Sequence, residues 1–419
     1  MGARSGGLPV SRRRLLAGAG VLGVGALAVP AIVGNPEAVA GATDVVGSEA
    51  AVPFYGEHQA GIVTPQQEHL VFAAYDLTAS DRRELAGLLG GWTAAAVRLT
   101  AGQPLDGPDH ADDPPPDTGE AVGLGPSRLT LTVGFGPGLF DSRYGLADRR
   151  PAALAPLPPF PGDDLDPDLG GGDLCVQACA DSLQVAFHAV HELTRIAFGA
   201  AALRYYQIGF GFGTDAGDGA TPRNLLGFHD GTANRQVERP DGMARYVWVG
   251  DEGDQRWLRG GTFLVARRIR TALEGWARTS LSDQEAAIGR HKGSGAPLGA
   301  TGQYETPDFG AVAADGQPVI PEHAHIRQAS ADGNAGARIL RRSYNFADGI
   351  DPETGELDAG LYFLCFQKDP GRQFVRIQQR LAASDALTAG YLRHTASGVF
   401  ACPPGVTEGG HWGSGLGLD

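Results

Sequence analysis

The sequence predicts an α+β protein that contains two consecutive βαββαβ units. Two observations lead to this prediction. Short apolar runs with strand character alternate with segments of helical period, and the same order of elements occurs twice along the 419 residues. A Gly- and Asp-rich stretch near residues 214–240 joins the two units, and we expect each unit to be a ferredoxin-like antiparallel sheet with helices on one face.

The first unit is predicted to cover residues 66–225. It opens with the apolar strand 69–77, and Ser80 and Asp81 mark the start of a helix because such side chains cap its free N–H groups. The Pro-, Gly- and Asp-rich segment 101–127 is expected to be a solvated loop. The remaining elements are the strand RLTLTVGFG, the strand DLCVQACA, the helix SLQVAFHAVHELTRIAFG and the strand ALRYYQIGFGFG.

The second unit is predicted to cover residues 226–419 and repeats this order. Its strands are expected to carry apolar residues and its helices to show apolar positions three and four residues apart. The elements are the strand GGTFLVARRI, the helical pair RTALEGWARTS and SDQEAAIG, the strands ARILRRSYNF and LYFLCFQKD, the helix RQFVRIQQRLA and the strand SGVFACPP.

Composition and charge exclude two classes of partner. The formal net charge is -14 at pH 7, so the chain lacks the basic surface that nucleic acids or anionic membranes require. Hydrophobic residues make up 42% and charged residues 20%, which is typical of a globular protein rather than a disordered or polytopic one.

The N-terminus predicts export. Arginines follow one another in Ser11–Arg14, a weakly apolar run comes next, and Ala38-Val39-Ala40 suits a signal peptidase. We therefore expect a twin-arginine signal at residues 1–40, an extended arm at 41–65, and an extracellular or cell-envelope protein without stable membrane insertion after cleavage. A membrane anchor is the alternative, although the run is rich in Gly and Ala.

The four cysteines do not form a disulfide framework. Cys175 and Cys179 fall on one face of a predicted strand, about 13 Å apart, which is too far for a bond between them. We expect the cysteines to be buried, with a metal or redox role as the alternative.

The stretch GFHDGTAN holds one carboxylate, Asp230, between Gly227 and Gly231. Glycines allow a sharp turn or a close backbone approach, and a join between two domains is a common place for a ligand. An Asp-Gly pair is also an ordinary turn signal. The stretch becomes a candidate site only where other residues support it.

A pair of histidines and a pair of arginines supply that support. His323 and His325 lie two positions apart, and Arg341 and Arg342 follow on a predicted strand. A haem iron needs an imidazole ligand; cleavage of peroxide needs a carboxylate as general base and then acid, and a cation that offsets the growing negative charge. Asp230 and Arg341 fit the last two roles. An HxH metal site is the alternative, but no further ligand pattern completes it.

Longer segments resemble the dye-decolorizing peroxidases, in particular the secreted, deferrochelatase-like subgroup. The GxxDG motif of that family is Gly227-Phe228-His229-Asp230-Gly231 in this sequence. The similarity extends over nearly all of residues 60–410, and the ordered set of segments is more specific than the motif alone. The segments are LTVGFGPGLF, DLCVQACADSLQVAFHAV, TPRNLLGF, IGRHKGSGAPLG, HIRQA, RILRRSYNF, LYFLCFQKDPGRQFVRIQQRL and RHTASGVFACPPG.

The resemblance implies a fold and individual roles. The family fold is a dimeric α+β barrel of two ferredoxin-like halves. By the resemblance, Asp230 matches the distal acid/base, Arg341 the distal arginine and His325 the proximal iron ligand, with His323 as the rival. Some relatives carry an asparagine two positions after the distal arginine, where this chain has Ser343.

Further residues are candidates for contacts around the cofactor. We expect Asp385 to accept a hydrogen bond from the proximal imidazole, with a solvated helix-end aspartate as the alternative. Arg327 and the loop Arg290-His291-Lys292 are candidates for the haem propionates, or are solvated loop charges. Trp257, Trp276 and Tyr344 are electron-relay candidates, or ordinary packing residues. The remaining motif residues assigned to the cofactor site are Gly227, Phe228, His229 and Gly231.

The resemblance therefore implies a peroxidase that binds one haem b in its C-terminal half. Its expected substrates are hydrogen peroxide and organic reductants such as bulky phenols or dyes. The alternatives are a deferrochelatase-like removal of iron from haem and a non-enzymatic haem carrier. A homodimer is compatible with the sequence, which does not define the physiological electron donor.

Overall fold

The computed structural model describes residues 50–107, 112–211 and 221–418. The predicted export signal at residues 1–40 lies outside the described residues, and so do residues 41–49 of the predicted arm and residues 214–220 of the join between the units. Residues 50–65 of the arm form no helix or strand.

The first unit has the predicted βαββαβ order. Helix α1 begins at the predicted cap, where the Asp81 carboxylate accepts hydrogen bonds from the backbone N–H groups of Arg83 and Glu84, each at 2.9 Å. The elements are β1 (His69–Leu77), α1 (Arg82–Thr100), β2 (Thr130–Phe135), β3 (Leu174–Ala180), α2 (Leu183–Ile196) and β4 (Ala201–Phe210).

The second unit repeats this order and adds short helices. Helices α3, α6 and α8 were not predicted, because each spans two turns or fewer and shows little periodicity. The elements are α3 (Pro240–Tyr246), β5 (Thr262–Thr271), α4 (Leu273–Arg278), α5 (Leu281–Ile288), α6 (His325–Gln328), β6 (Leu340–Arg341), β7 (Tyr344–Ile350), β8 (Leu357–Gln367), α7 (Phe374–Ser384), α8 (Ala386–Tyr391) and β9 (Leu392–Cys402).

The strands close into an antiparallel barrel. Neighbouring strands follow the order β5-β9-β2-β3-β1-β4-β7-β8, and β8 pairs with β5 to complete the ring. The two units meet edge to edge where β2 pairs with β9 and β4 pairs with β7. The predicted α+β class, with two ferredoxin-like halves, is confirmed.

The predicted strand ARILRRSYNF is interrupted at Arg342 and Ser343. Strands β6 and β7 flank the interruption and pair with β8 in one register, since Arg341 faces Cys365 and Tyr344 faces Tyr362. Arg342 is buried, and its guanidinium donates hydrogen bonds to the Thr64 carbonyl and the Gln67 side chain. These two contacts tie the described arm to the barrel.

Alternation along each strand separates two apolar cores. On β1, Leu70, Phe72 and Ala74 face the inside of the barrel, whereas Val71 and Tyr75 face outward. The outward core lies beneath α1 and α2 and contains the fully buried Trp92. The barrel interior is therefore filled with side chains, and any ligand must bind outside it.

The cysteine prediction is confirmed. Cys175 and Cys179 lie on β3 and face the barrel interior. They and Cys365 and Cys402 are buried and unpaired.

The prediction that segment 101–127 is fully solvated is wrong in part. The Asp117 and Glu120 carboxylates turn toward α2, where Glu120 bonds to the buried imidazole of His188. The composition favoured solvent exposure, but charged groups on α2 provide partners for these acids.

Within the described ranges, no helix is long and apolar enough to cross a membrane.

Candidate active site

A cavity of about 540 Å³ lies between the outward face of the second unit's sheet and helices α5 to α8. Its volume falls within the range of about 300–1,000 Å³ that is usual for small-molecule sites. Every residue that lines it falls between Asn224 and His394. The sheet contributes outward-facing side chains of β5, β8 and β9, and the helices contribute apolar side chains such as those of Ile288, Ile377 and Leu387.

Asp230 and Arg341 form an ion pair on one wall of this cavity. The Arg341 guanidinium lies 2.8 Å from Asp230 Oδ1, and the Asp230 side chain is only 12% exposed. The same oxygen accepts a hydrogen bond of 2.6 Å from the backbone N–H of Gly231. Gly231 has φ of 77°, a left-handed conformation that suits glycine, so the motif forms a tight turn that fixes the carboxylate.

Asn234 holds the arginine strand against this turn. Its side-chain amide donates to the backbone carbonyl of Arg341 at 2.6 Å, and its oxygen accepts from the backbone N–H of Arg341 at 3.1 Å. Sequence reasoning missed this residue, although it ends the stretch GFHDGTAN. A side-chain amide can imitate a neighbouring strand in this way, so an asparagine close to the acid was the available signal.

His325 also lines the cavity and is oriented from behind by Asp385. The His325 Nδ1 atom lies 2.8 Å from the Asp385 carboxylate, which is fully buried. Asp385 is the N-cap of α8, where it accepts hydrogen bonds from the backbone N–H groups of Leu387 and Thr388. Because Nδ1 is occupied, Nε2 is the nitrogen available for a metal in the cavity.

The electrostatics of this pair favour a strongly basic imidazole. Burial lowers the pKa of His325, but the charge of Asp385 and the hydrogen bond to it raise that pKa above its ordinary value. Burial raises the pKa of Asp385, but His325 and Thr388 hold it below its ordinary value. The charges of Asp230 and Arg341 also act on His325, which indicates that the three groups share one site.

The structure separates the two histidines of the HxH pair. His323 is exposed and its Nδ1 atom lies 3.0 Å from the Ser384 carbonyl. His325 begins a helix rather than lying on a strand, so the two imidazoles do not share a strand face. No metal cluster among the described residues includes either histidine.

The other predicted cofactor residues divide between the cavity wall and its support. Phe228 and His229 line the cavity, whereas Gly227 and Gly231 shape the turn without lining it. Arg327 does not line it either, because its guanidinium donates to the Ile320 carbonyl at 2.6 Å and lies over the Phe309 ring. In the loop 290–292, Arg290 reaches the cavity, and burial and the charge of Arg341 lower its pKa to about 10.

Cations dominate the charged lining of the cavity. This lining is unusual in a chain whose net charge is -14, and it suits an anionic ligand. The lining acids are Asp230, Glu305 and Asp332, and the lining cations are Arg235, Arg239, Arg267, Arg290, Arg338 and Arg341.

Three buried donors in the lining lack acceptors among the described residues. These are the Thr232 hydroxyl, Arg267 Nε and His394 Nδ1. Burial and the charge of Arg267 lower the pKa of His394 to about 3, so its ring is neutral at pH 7. The Nη2 atom of Arg267 forms an ion pair with the Asp163 carboxylate. Unsatisfied buried donors cost stability, so an acceptor is expected from a ligand. The sequence analysis treated the part of β5 that holds Arg267 as an apolar strand, and it did not single out His394 on β9.

The predicted electron-relay candidates are packed inside the molecule. Trp257 packs on Phe140 in the outward core, and Tyr344 lies in the barrel interior. Trp276 contacts Phe228 on the cavity wall and stacks edge-on against Tyr391 at 4.8 Å. The alternative of ordinary packing describes all three.

Two family models match the chain in succession. Residues 59–211 match the Dyp-type peroxidase N-terminal model, and residues 221–407 match the C-terminal model. The chain belongs to the Dyp-type peroxidase family. It is therefore a haem peroxidase, and the resemblance inferred from the sequence segments is confirmed.

Solved structures show the same fold. Ferric DtpA from Streptomyces lividans is 40% identical to this peroxidase, with a TM-score of 0.81 over 88% of this chain and 97% of that chain. A DyP-type peroxidase from Streptomyces coelicolor is 41% identical, with a TM-score of 0.82 over 89% of this chain and 98% of that chain.

Two relatives that match this chain over nearly their whole length are named deferrochelatase. A deferrochelatase from Escherichia coli O157:H7 is 34% identical over 402 residues, which cover 95% of this peroxidase and 94% of the relative. A deferrochelatase from Yersinia pseudotuberculosis is 36% identical over 412 residues, which cover 96% and 93% of the two chains.

Proposed function

We propose that haem b binds in the cavity with His325 as its iron ligand and that Asp230 and Arg341 act on hydrogen peroxide there. The observation that carries the proposal is the ion pair between Asp230 and Arg341 in the same cavity as a histidine whose Nδ1 is held by a carboxylate. Asp385 would keep the imidazole oriented and make it a stronger donor to iron.

The lining fits the shape and charge of haem. Its apolar side chains suit a flat porphyrin, and the two propionates need cationic or N–H partners. Arg267 Nε and His394 Nδ1 are buried donors without acceptors, so they are our candidates for one propionate. Arg327 does not line the cavity, and its guanidinium donates to the Ile320 carbonyl instead.

When bound, the haem supplies the iron and the electrons that reduce the O–O bond. Asp230, held in place by the Gly231 N–H and Arg341, accepts a proton from one oxygen of hydrogen peroxide. It then gives this proton to the other oxygen, which leaves as water. Arg341 offsets the negative charge that develops while the bond breaks. Organic donors such as phenols or dyes would supply electrons to replace those taken from the haem.

The role of Arg341 can be tested separately from haem binding. Arg341→Ala should lower the rate constant for the reaction with hydrogen peroxide by about 10²–10³-fold, with haemin affinity unchanged. Arg327→Ala is the matched control, since this arginine lies outside the lining, and it should change neither quantity. Stopped-flow spectroscopy and haemin titration give the two readouts. A non-enzymatic carrier would keep its function in both variants.

A second candidate function is the removal of iron from haem. The full-length relatives named deferrochelatase favour it. One reaction distinguishes the two functions: haem-loaded protein with peroxide and a reducing dye, followed by dye absorbance and by the fluorescence of iron-free porphyrin. The peroxidase proposal predicts dye oxidation with no porphyrin fluorescence. Porphyrin fluorescence without dye oxidation would replace it with iron removal.

We also propose export by the twin-arginine route, supported by the arginines of Ser11–Arg14 and the small residues at 38–40. Replacing the three arginines by lysines should retain the protein inside the cell, and N-terminal sequencing of the exported form should find a start near residue 41. An unprocessed chain bound to the membrane would support the anchor alternative.

A further inference from the structure

A second cluster of ligand-type side chains lies in the first unit, away from the haem cavity. Asp117, His188 and Glu192 each offer one ligand atom, and these atoms all lie within 4.8 Å of one another. His188 is only 4% exposed and Glu192 is fully buried. None of the three lines the cavity.

The helix and the loop each contribute to the arrangement. His188 and Glu192 stand four residues apart on α2, so they share one helix face. Asp117 comes from the segment between α1 and β2, where its Oδ1 accepts from the Gly119 N–H at 2.7 Å and its Oδ2 accepts from the Leu105 N–H at 2.8 Å. These bonds orient the carboxylate before any ion binds.

The imidazole of His188 is oriented as it is in metal sites. Its Nδ1 atom lies 2.8 Å from the Glu120 carboxylate, so Nε2 carries the lone pair when the ring is neutral. Nε2 then faces Asp117 Oδ2 at 3.5 Å, which is longer than an ordinary hydrogen bond. Two ligands on one metal ion, each about 2.1 Å from it, are separated by a similar distance. A carboxylate behind a ligating histidine is the usual arrangement.

The charges of the cluster also call for a cation. The cluster brings together the carboxylates of Asp117, Glu120 and Glu192, and of these only Glu192 is paired with a guanidinium among the described residues, that of Arg195 at 2.7 Å. The described carboxylates therefore outnumber the guanidinium groups by two in a largely buried place, and buried charge is costly unless it is compensated. Glu192 Oε1 accepts from the Thr118 N–H and from the Thr118 hydroxyl, which also contacts Glu120, so a metal at Oε1 would take the place of the hydrogen bond from this hydroxyl.

We propose that Asp117, His188 and Glu192 form a binding site for a divalent first-row transition metal such as Zn²⁺. One imidazole and two carboxylates favour such a metal over Ca²⁺ or Mg²⁺, which prefer oxygen ligands alone. The metal would fasten the α1–β2 segment to α2. Its role is therefore structural, and it is independent of the haem and of the proposed catalytic residues.

Zinc binding to the full-length, haem-loaded protein tests the proposal. After chelator treatment and dialysis, titration calorimetry and zinc analysis should find one Zn²⁺ per chain, with Ca²⁺ failing to compete. The melting temperature should rise with Zn²⁺. Asp117→Ala, which removes the proposed ligand oxygen Oδ2, should lower the affinity more than Glu120→Gln, for which the loss of an orienting carboxylate predicts about 10–100-fold.

The exposed neighbour His191 provides the matched control, because it contacts Glu120 but is not one of the three ligands. His191→Gln should leave the zinc affinity unchanged, whereas His188→Gln should abolish binding. The Soret spectrum and circular dichroism show whether each variant is folded. Absence of zinc binding in the wild-type protein would overturn the proposal, since an ion-pair network with protonated histidines would then account for the cluster. Loss of binding in His191→Gln with retention in Asp117→Ala would overturn it as well.

Discussion

The two halves of the barrel share one order of elements but differ in the space between sheet and helices. In the first half, Trp92 of α1 packs edge-on against Tyr75 of β1, with 5.2 Å between the ring centroids, and donates its N–H to the Leu193 carbonyl of α2 at 2.7 Å. In the second half, the corresponding outward face carries Ile269 and Leu361, and both line the cavity.

This difference shows how a duplicated fold can devote one copy to stability and the other to chemistry. The first half fills the layer with aromatic side chains and gains the free energy of apolar burial. The second half leaves the layer open and surrounds it with arginines and the unpaired donors of Arg267 and His394. Substitutions in the open layer should therefore change activity, whereas substitutions in the filled layer should change stability.

The largest effect is expected in the open layer, at Asp230. Asp230→Asn keeps the size of the side chain but removes the base, so the rate constant for the reaction with hydrogen peroxide should fall by about 10²–10⁴-fold. Stability and haemin affinity should change little. Stopped-flow spectroscopy measures the rate, and His323→Ala, at an exposed histidine outside the lining, is the control. An unchanged rate in Asp230→Asn would remove the proposed acid/base role.

The filled layer should respond through stability. Trp92→Ala removes a fully buried indole and should lower the free energy of unfolding by about 3–5 kcal/mol. Haemin affinity and peroxide reactivity of the folded protein should not change. Urea unfolding monitored by circular dichroism measures the loss. If the variant instead lost haemin at unchanged stability, the two layers would not be separate in function.

A smaller effect is expected behind His325. Asp385→Asn should retain α8, because asparagine is also a good N-cap, but it removes the carboxylate charge from the imidazole. We expect haemin affinity to fall by about 10–100-fold and the reduction potential of the iron to rise, since a weaker donor stabilises the ferric state less. Haemin titration and spectroelectrochemistry measure both quantities. Unchanged values would mean that Asp385 serves only as the helix cap.

The smallest effect concerns the pH dependence of the first half. Burial opposes ionisation of Glu120, but hydrogen bonds from Thr118, His188 and His191 outweigh it and lower its pKa from 4.5 to about 2. A carboxylate whose pKa is lower in the folded state stabilises the fold above about pH 4.5, and this contribution is lost as the pH falls toward 2. In metal-free buffer, the free energy of unfolding of the wild type should exceed that of Glu120→Gln by a constant amount above pH 5. Below pH 5 the difference should become smaller. A difference that persists to pH 2.5 would contradict this.

The sequence was sufficient for the order of elements, because strand and helix periods survive in a single chain. The motif and the similarity to a family also pointed to Asp230, Arg341 and His325, which the structure brings to one cavity. Asn234 and Arg267 could not be found in this way. The contact of Asn234 depends on how the turn meets β6, and Arg267 lies in a strand that otherwise reads as apolar.

The cavity itself was also beyond the sequence pattern. Both halves show the same periodicity, so periodicity cannot distinguish a filled layer from an open one. The inward turn of Asp117 and Glu120 was missed for a related reason, since composition predicts exposure and only the partners on α2 reverse it.

The visible spectrum of the haemin-titrated protein tests the central claim most directly. Wild-type protein should take up one haemin per chain with the spectrum of a histidine-ligated ferric haem, His323→Ala should do the same, and His325→Ala should lose this spectrum and regain it when imidazole is added. A His325→Ala variant that binds haemin with the wild-type spectrum would contradict the assignment of His325 as the iron ligand and, with it, the proposed site.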